Sequence, residues 1–306
     1  MVPENTLLLL VRGSMLYNCI PVGITKKTVT FNQDVKALTF NEQTTVNYML
    51  QWFLHYESKL LNMVVGTGIG AGKLETSDVQ NISFGLPSKP EQKKIASFLT
   101  AVDSKIEQLT KKRSLLEQYK KGVMQKIFSR EIRFRAEDGS AFAEWEEKKI
   151  GDVLKVESGK DYKHIPEGNI PVYGTGGYMT SIDSFLYDGE SVCIGRKGTI
   201  NKPIFISGKF WTVDTLFYTS SFKALLPKYF YYFSLQTNWL KYNEGTTLPS
   251  LSKKTIENIH IALPSIEEQT KIADFLSSID IKIDLVAKEL ENAKQFKKGL
   301  LQQMFV

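Results

Sequence analysis

Cysteine is nearly absent from this chain: Cys19 and Cys193 are the whole supply, each in an apolar run with no CxxC pair or Cys/His cluster nearby. That argues against a disulfide framework and a zinc site, and it fits a reducing, cytoplasmic setting. Histidine is almost as scarce, and His55, His164 and His260 are scattered with no serine or cysteine at a triad-like spacing. Long apolar runs are missing too. The longest near the start, Leu7 to Val11, follows Glu4 and is too short to cross a bilayer, so neither a signal peptide nor a membrane helix is expected. No Pro-Pro pair precedes an aromatic residue and no Pro-Asp pair opens a nuclease motif. The expectation is a chain without catalytic residues, metal or cofactor.

What is present is ordinary for a folded protein: 306 residues, 42% apolar and 24% charged, enough for two domains. The 39 Lys and Arg outnumber the 33 Asp and Glu, and a net charge of +6 leans mildly toward a polyanionic partner.

One glycine-rich stretch, "NMVVGTGIGAGKLE" at 62–75, resembles a phosphate-cradling loop. A Walker loop would need glycine at 67 and Ser or Thr at 74, where this chain has Thr67 and Leu74. An apolar, helix-like run precedes it where a dinucleotide fingerprint needs a strand. Nucleotide and S-adenosylmethionine binding are therefore not expected, and the stretch reads as a flexible loop whose Lys73 approaches phosphate.

The chain repeats itself. "LPSKPEQKKIASFL" at 86–99 returns as "LPSIEEQTKIADFL" at 263–276, identical at ten of fourteen positions with an offset of 177. The offset persists from "EQYKKGVMQKIF" at 117–128 to "KQFKKGLLQQMF" at 294–305. Upstream, "LLLLVRGS" at 7–14 matches "SVCIGRKGT" at 191–199 at an offset of 185. The glycine-rich stretch keeps only Gly68, as Gly245, in its second copy, which further weakens a phosphate site there.

Each copy is a mixed segment followed by a helix of heptad spacing. Ile95, Leu99, Val102, Ile106, Leu109, Arg113, Leu116, Lys120, Val123 and Ile127 step by fours and threes, and Ile272 to Met304 repeat the pattern, with Lys297 at the place of Lys120. Ser88 and Ser265 are the expected helix starts. Two such helices bury their seams most simply by pairing antiparallel. Acidic triplets such as Asp103-Ser104-Lys105 read as solvated faces, and the aromatic run at 228–242 reads as a core helix.

The alternation of mixed segment and long helix, with "LPSIEEQTKIADFLSSIDIKI", "WEEKKIGDVLKVESGK" at 145–160 and "IPVYGTGGYM" at 170–179, resembles the specificity subunit of type I restriction-modification systems. The resemblance implies an α/β (α+β) fold: two target recognition domains, separated by two long helices forming an antiparallel coiled coil with pseudo-twofold symmetry. It implies a first recognition domain at 1–86, a spacer helix at 87–129, a linker at 130–144, a second recognition domain at 145–262 and a second spacer helix at 263–306. It also implies partners: double-stranded DNA with a bipartite site, two modification (methyltransferase) subunits and a restriction subunit, which hold the chemistry. One departure stands out. The first copy has no counterpart to Trp145 through Leu186, so its recognition domain reads as truncated, and a DNA-incompetent interaction protein that occupies modification subunits or self-associates is the alternative.

Candidate DNA contacts follow from residue type. In both copies an apolar run ends in a cation, a glycine and a hydroxyl: Arg12-Gly13-Ser14, and Arg196-Lys197-Gly198-Thr199. Such a turn suits a phosphate oxygen. "GKDYKH" offers Lys160, Tyr162, Lys163 and His164, and "YGTGG" offers Tyr173 and Thr175, both read as loops. Base edges in the major groove call for Lys, Arg, Asn or Gln, which singles out Lys160, Lys163, Arg196 and Asn201. Thr246 and Thr247, aligned with Ile69 and Gly70, are a weaker pair.

Overall fold

A computed structural model describes residues 1–68 and 70–305. The chain opens with strands β1 (Leu7–Leu10), β2 (Arg12–Gly13), β3 (Val22–Ile24) and β4 (Val35–Leu38). Helices α1 (Val46–His55) and α2 (Glu57–Leu61), strands β5 (Val65–Gly66) and β6 (Gly72–Lys73), the short α3 (Thr76–Gln80) and the long α4 (Lys89–Phe128) complete the first copy. The second begins with β7 (Glu146–Lys149), α5 (Ile150–Val153), β8 (Lys155–Ser158), β9 (Glu167–Gly174) and β10 (Gly177–Ile182). It continues with β11 (Tyr187–Asp188), β12 (Ser191–Gly195), β13 (Ile204–Ile206), β14 (Lys209–Thr212) and β15 (Leu216–Ser220). Helices α6 (Pro227–Gln236) and α7 (Lys253–Glu257), strand β16 (His260–Leu263) and the long α8 (Ile266–Met304) follow.

The chain forms two compact units, Met1–Ser114 with Leu285–Val306, and Leu115–Asp284. In the first, β1 lies between β3 and β4, antiparallel to both, with Leu7 opposite Leu38 and Ile24. Leu7 and Leu9 are buried under α1, whose Tyr48, Met49, Trp52 and Phe53 share a core with Leu99 and Phe305. The other face of β1, with Leu8 and Leu10, is half-buried over an apolar hollow of about 520 Å³.

The second unit has the same middle and more around it. Strand β12 pairs with β13 and β15, as β1 does with β3 and β4, and β15 gains β8 as a further neighbour. A second sheet in the order β10-β9-β14-β11 has no full counterpart among the described residues of the first unit, where the Val2–Val29 bridge matches its Tyr187–Phe210 pair. With partners on both faces, all five residues of "SVCIG" in β12 are buried, Val192 and Ile194 on one side and Cys193 on the other. Such two-sided burial is why β12 reads as a continuous apolar run. It also pushes the Cys193 thiol far above its ordinary range, leaving it inert.

Each unit holds its stretches of α4 and α8 antiparallel. In the first, Ile95, Ala96 and Leu99 share a core with Leu300, Leu301 and Met304; in the second, Val123, Met124 and Ile127 do so with Ile272, Leu276 and Ile279. The lysines that interrupt the seam are paired: Lys297 with Asp103 at 2.6 Å in the first unit, Lys120 with Asp280 at 2.5 Å in the second. Asp103 is therefore not on a solvated face, as its sequence context suggests; it meets a lysine of the other repeat and accepts from Gln51 at 3.2 Å. Asp280 accepts from Tyr232 at 2.8 Å in the same way.

A buried glutamine anchors each long helix. Gln92 accepts from Thr45 N at 2.8 Å and donates to the carbonyls of Gln43 and Pro87. Gln269 accepts from Leu226 N at 2.8 Å and donates to those of Ala224 and Pro264. Thr45 and Leu226 are the N-caps of α1 and α6, so one side chain ties two helix starts together and satisfies a backbone donor that a helix leaves open.

Candidate nucleic-acid interface

The cation-glycine-hydroxyl turn is built the same way in both units. In the first, Arg12 on β2 faces Lys73 on β6, Gly13 faces Gly72, and Leu74 N donates to Val11 O at 2.9 Å. In the second, Lys197 bridges to Ser250, Gly198 N donates to Pro249 O at 2.8 Å, and Leu251 N donates to Arg196 O at 2.9 Å. The structural equivalent of Arg12 is thus Lys197 rather than Arg196. Gly13 and Gly198 have φ of 150° and 83°, in the region that favours glycine, which is why the turn carries one at that point.

This pairing also revises the reading of 62–75, which holds two short strands, β5 and β6, in one small sheet with β2. Gly72 is needed there, because a Cβ would lie 2.8 Å from Val64 Cγ1 and 3.0 Å from Leu16 Cβ. Arg12 and Ser14 are exposed, and Arg12 lines a hollow of about 290 Å³ together with Lys36, Lys73, Asp34 and Glu75. Lys73 is ion-paired with Glu75, so its charge is partly spent locally.

In the second unit the turn between β14 and β15, residues 213–215, joins two of the segments singled out by sequence. Val213 N donates to Tyr173 O at 3.0 Å, and Thr215 O accepts from Arg196 N at 2.8 Å and Lys197 N at 3.3 Å. Just before it, Thr212 O accepts from Lys160 N at 2.9 Å, while Trp211 Nε1 donates to Lys160 O at 2.8 Å. Lys160, Lys197 and Asn201 are exposed, Thr199 is half-buried, and Arg196 spans the ring of Phe217 at 5.9 Å and donates to Asp214 O.

The loop at 243–250 closes the group. Asn243 Oδ1 accepts from Gly245 N at 2.9 Å and Ser250 N at 2.8 Å, and Glu244 N donates to Ser250 O. Hydrogen bonds from Thr255 and then Ser252 hold the Glu244 carboxyl below its usual range. Thr246 and Thr247 stand exposed at the tip of this cinched loop, next to Leu248, which is 64% exposed. Ile69, aligned with Thr246, lies outside the described residues.

Other candidates sit apart. Lys163 and His164 are exposed on a turn whose neighbour Asp161 approaches His164 Nδ1 to 3.9 Å. Tyr162 packs toward Val172, Ile182 and Trp211. Tyr173 is the penultimate residue of β9, not in a loop, with its ring against Tyr178; Thr175 occupies the β9–β10 turn. The 213–215 turn carries no signature that sequence reasoning could use, since it acts through backbone groups, and the cinch rests on the single Asn243 side chain, which accepts from amides two and seven residues on. Among the described residues no group of three or more His, Cys, Asp or Glu could hold a metal, and no helix is long and apolar enough to cross a membrane.

Comparison with known proteins agrees with this arrangement. Residues 1–118 and 143–295 match the family described as Type I restriction modification DNA specificity domain. The specificity subunit of the type I restriction enzyme MjaVIII from Methanocaldococcus jannaschii is 26% identical over 98% of this chain and 78% of its own length. The MjaIX specificity subunit of the same organism is 26% identical over 99% and 77%. The crystal structure of the S subunit from M. genitalium superposes with a TM-score of 0.74 at 19% identity, covering all of this chain and 84% of that one, so the fold is shared. With a duplicated α+β unit, two long helices and this match over most of its length, the chain belongs to the type I restriction-modification DNA specificity family.

Proposed function

We propose that this specificity subunit reads a bipartite DNA site, one half through each unit, and carries two modification subunits on its helices. The observation that supports it is the recurrence of one turn in both units, with the same flanking hydrogen bonds around Gly13 and Gly198. In this reading Arg12, Ser14, Lys73, Lys197 and Thr199 meet phosphate. Lys160, Tyr162, Lys163, His164, Tyr173, Thr175, Arg196, Asn201, Thr246 and Thr247 face the grooves of the second half-site. Chemistry on the DNA belongs to the modification and restriction partners. Exposed apolar residues on the helices, Leu115, Tyr119 and Ile281 in the second unit, are the anchors for a partner subunit.

Binding of the chain with its modification subunit to its specific duplex and to random duplex, at two salt concentrations, tests the proposal. Lys197→Ala is expected to weaken binding to both duplexes alike and to lower the salt slope by about one. Asn201→Ala is expected to reduce the preference for the specific site by roughly tenfold. A preference near unity for the unmodified complex would overturn it. That result would favour the second reading, an interaction protein that occupies modification subunits without reading sequence. The slighter sheet of the first unit, with no counterpart of β7 to β10 among its described residues, motivates that reading.

A further inference from the structure

In the second unit the chain leaving α4 turns back as a strap along the start of α8. Arg133 donates to both oxygens of Glu268, at 3.2 and 2.9 Å, and Trp145 Nε1 donates to the same carboxylate at 3.0 Å. Phe134 meets Phe275 at 5.6 Å, Lys271 donates to Arg135 O at 2.9 Å, and the Trp145 ring packs on Tyr229. The strap ends as β7, which pairs with β16 from Glu146–Leu263 to Lys149–His260.

The first unit carries the receiving half of each contact. At the repeat offset Glu91 stands for Glu268, Lys94 for Lys271 and Phe98 for Phe275, and all three are exposed. Tyr48 stands for Tyr229, and residues 83–86 stand for β16. Those residues have no strand partner among the described residues, and Phe84 and Leu86 are 37% and 40% exposed. Between them lies a cavity of about 320 Å³ lined by Tyr48, Trp52, Phe84, Glu91, Ile95 and Phe305, among others. Trp52 Nε1 is buried beside it without a hydrogen-bond partner.

We infer that this face of the first unit is a docking slot for a protein strand of the strap's own design. The occupant adds antiparallel to residues 83–86, inserts a tryptophan into the cavity against Tyr48, and places an arginine, twelve residues earlier as Arg133 is from Trp145, on Glu91. A carboxylate at the mouth and an aromatic lining exclude a nucleic acid and select a polypeptide. The backbone of 83–86, which lies in no strand, supplies main-chain hydrogen bonds, and the cavity and Glu91 supply selectivity.

The probe is a synthetic peptide of this chain's residues 131–150, bearing a photo-crosslinker at the position of Phe142, titrated without DNA against the full-length chain. Saturable one-to-one binding is expected, with cross-links to residues 84–98 or 303–305 and slowed amide exchange at 83–86. Glu91→Lys in the chain, and Trp145→Ala in the peptide, should each weaken binding about tenfold or more; a charged hydrogen bond or a buried aromatic anchor is worth that much. Glu91 is exposed, so the first variant leaves the fold intact. Absence of saturable binding at millimolar peptide, cross-links confined to the neighbourhood of Glu268, or equal affinity for the Glu91→Lys chain would overturn the inference. None of these outcomes bears on sequence reading, which needs DNA and the modification subunit to observe.

Discussion

Gln92 and Gln269 make the same three hydrogen bonds in their respective units, whereas one residue earlier Glu91 and Glu268 share identity and little else. Glu91 is exposed; Glu268 is 0% exposed beneath Arg133 and Trp145. The glutamine's partners all lie within the duplicated segment, so duplication copied the interaction. The glutamate's partners lie in the strap, which has no counterpart among the described residues of the first unit. One residue type at one helical position is therefore a structural keystone in one copy and a surface charge in the other, and substitutions at such paired positions separate what the repeat encodes from what its surroundings add.

The widest separation is expected at the glutamates. Glu268→Ala takes from Arg133 its buried counter-charge, leaving it Glu144 and the carbonyls of Phe142 and Ala143, and strands the buried Trp145 indole donor. It should lower stability by roughly 3 kcal/mol in urea unfolding. Glu91→Ala should stay within about 0.5 kcal/mol, and similar losses at the two positions would erase the contrast. Next come the glutamines: Gln92→Ala and Gln269→Ala each orphan buried backbone groups, and each should cost about 2 kcal/mol. A large difference between them would mean that the two anchors are not equivalent.

A finer comparison concerns the residues that hold the seam aspartates. Tyr232→Phe removes a hydrogen bond to Asp280 and one shared with Ser277, for an expected loss of about 1.5 kcal/mol. Gln51 also bonds its aspartate but buries an Oε1 that has no partner, so Gln51→Met should be nearly neutral; a loss as large as at Tyr232 would show that its hydrogen bond to Asp103 dominates.

The smallest effect is pH-dependent. His55 stacks on Phe305 at 5.3 Å, and burial lowers its pKa from the ordinary 6.5. Because the folded state favours the neutral ring, its contribution is complete above the unfolded pKa and is lost as pH falls below it. The equivalent residue of the second unit is Gln236, which does not titrate. Melting followed between pH 7.5 and 5.5 should show a steeper decline for the unmodified chain than for His55→Gln. Parallel curves would remove His55 from the account.

Sequence reading reached the skeleton because the skeleton is duplicated. The offset of 177 located both long helices, and the recurrent Arg12-Gly13-Ser14 turn proved to have a built equivalent at Lys197-Gly198-Thr199. It could not reach interactions that occur once or through backbone alone. Arg133 and Trp145 lie more than a hundred residues from Glu268 and have no second copy to flag them. Residues 212–215 gather Lys160, Tyr173 and Lys197 through amides and carbonyls that any sequence would supply. Asp103 was misread because its partner Lys297 comes from the other repeat, at a distance no local pattern encodes.

The half-buried lysines of the helix seam bear on sliding. A seam of isoleucine and leucine alone is greasy enough to tolerate a shift by one turn, since one aliphatic knob fills another's hole nearly as well. Displacing Lys120 from Asp280, or Lys297 from Asp103, by one turn would push an ammonium among aliphatic side chains with no counter-charge. Each pair thus acts as a detent, giving up some cohesion so that the two helices can engage in one alignment only.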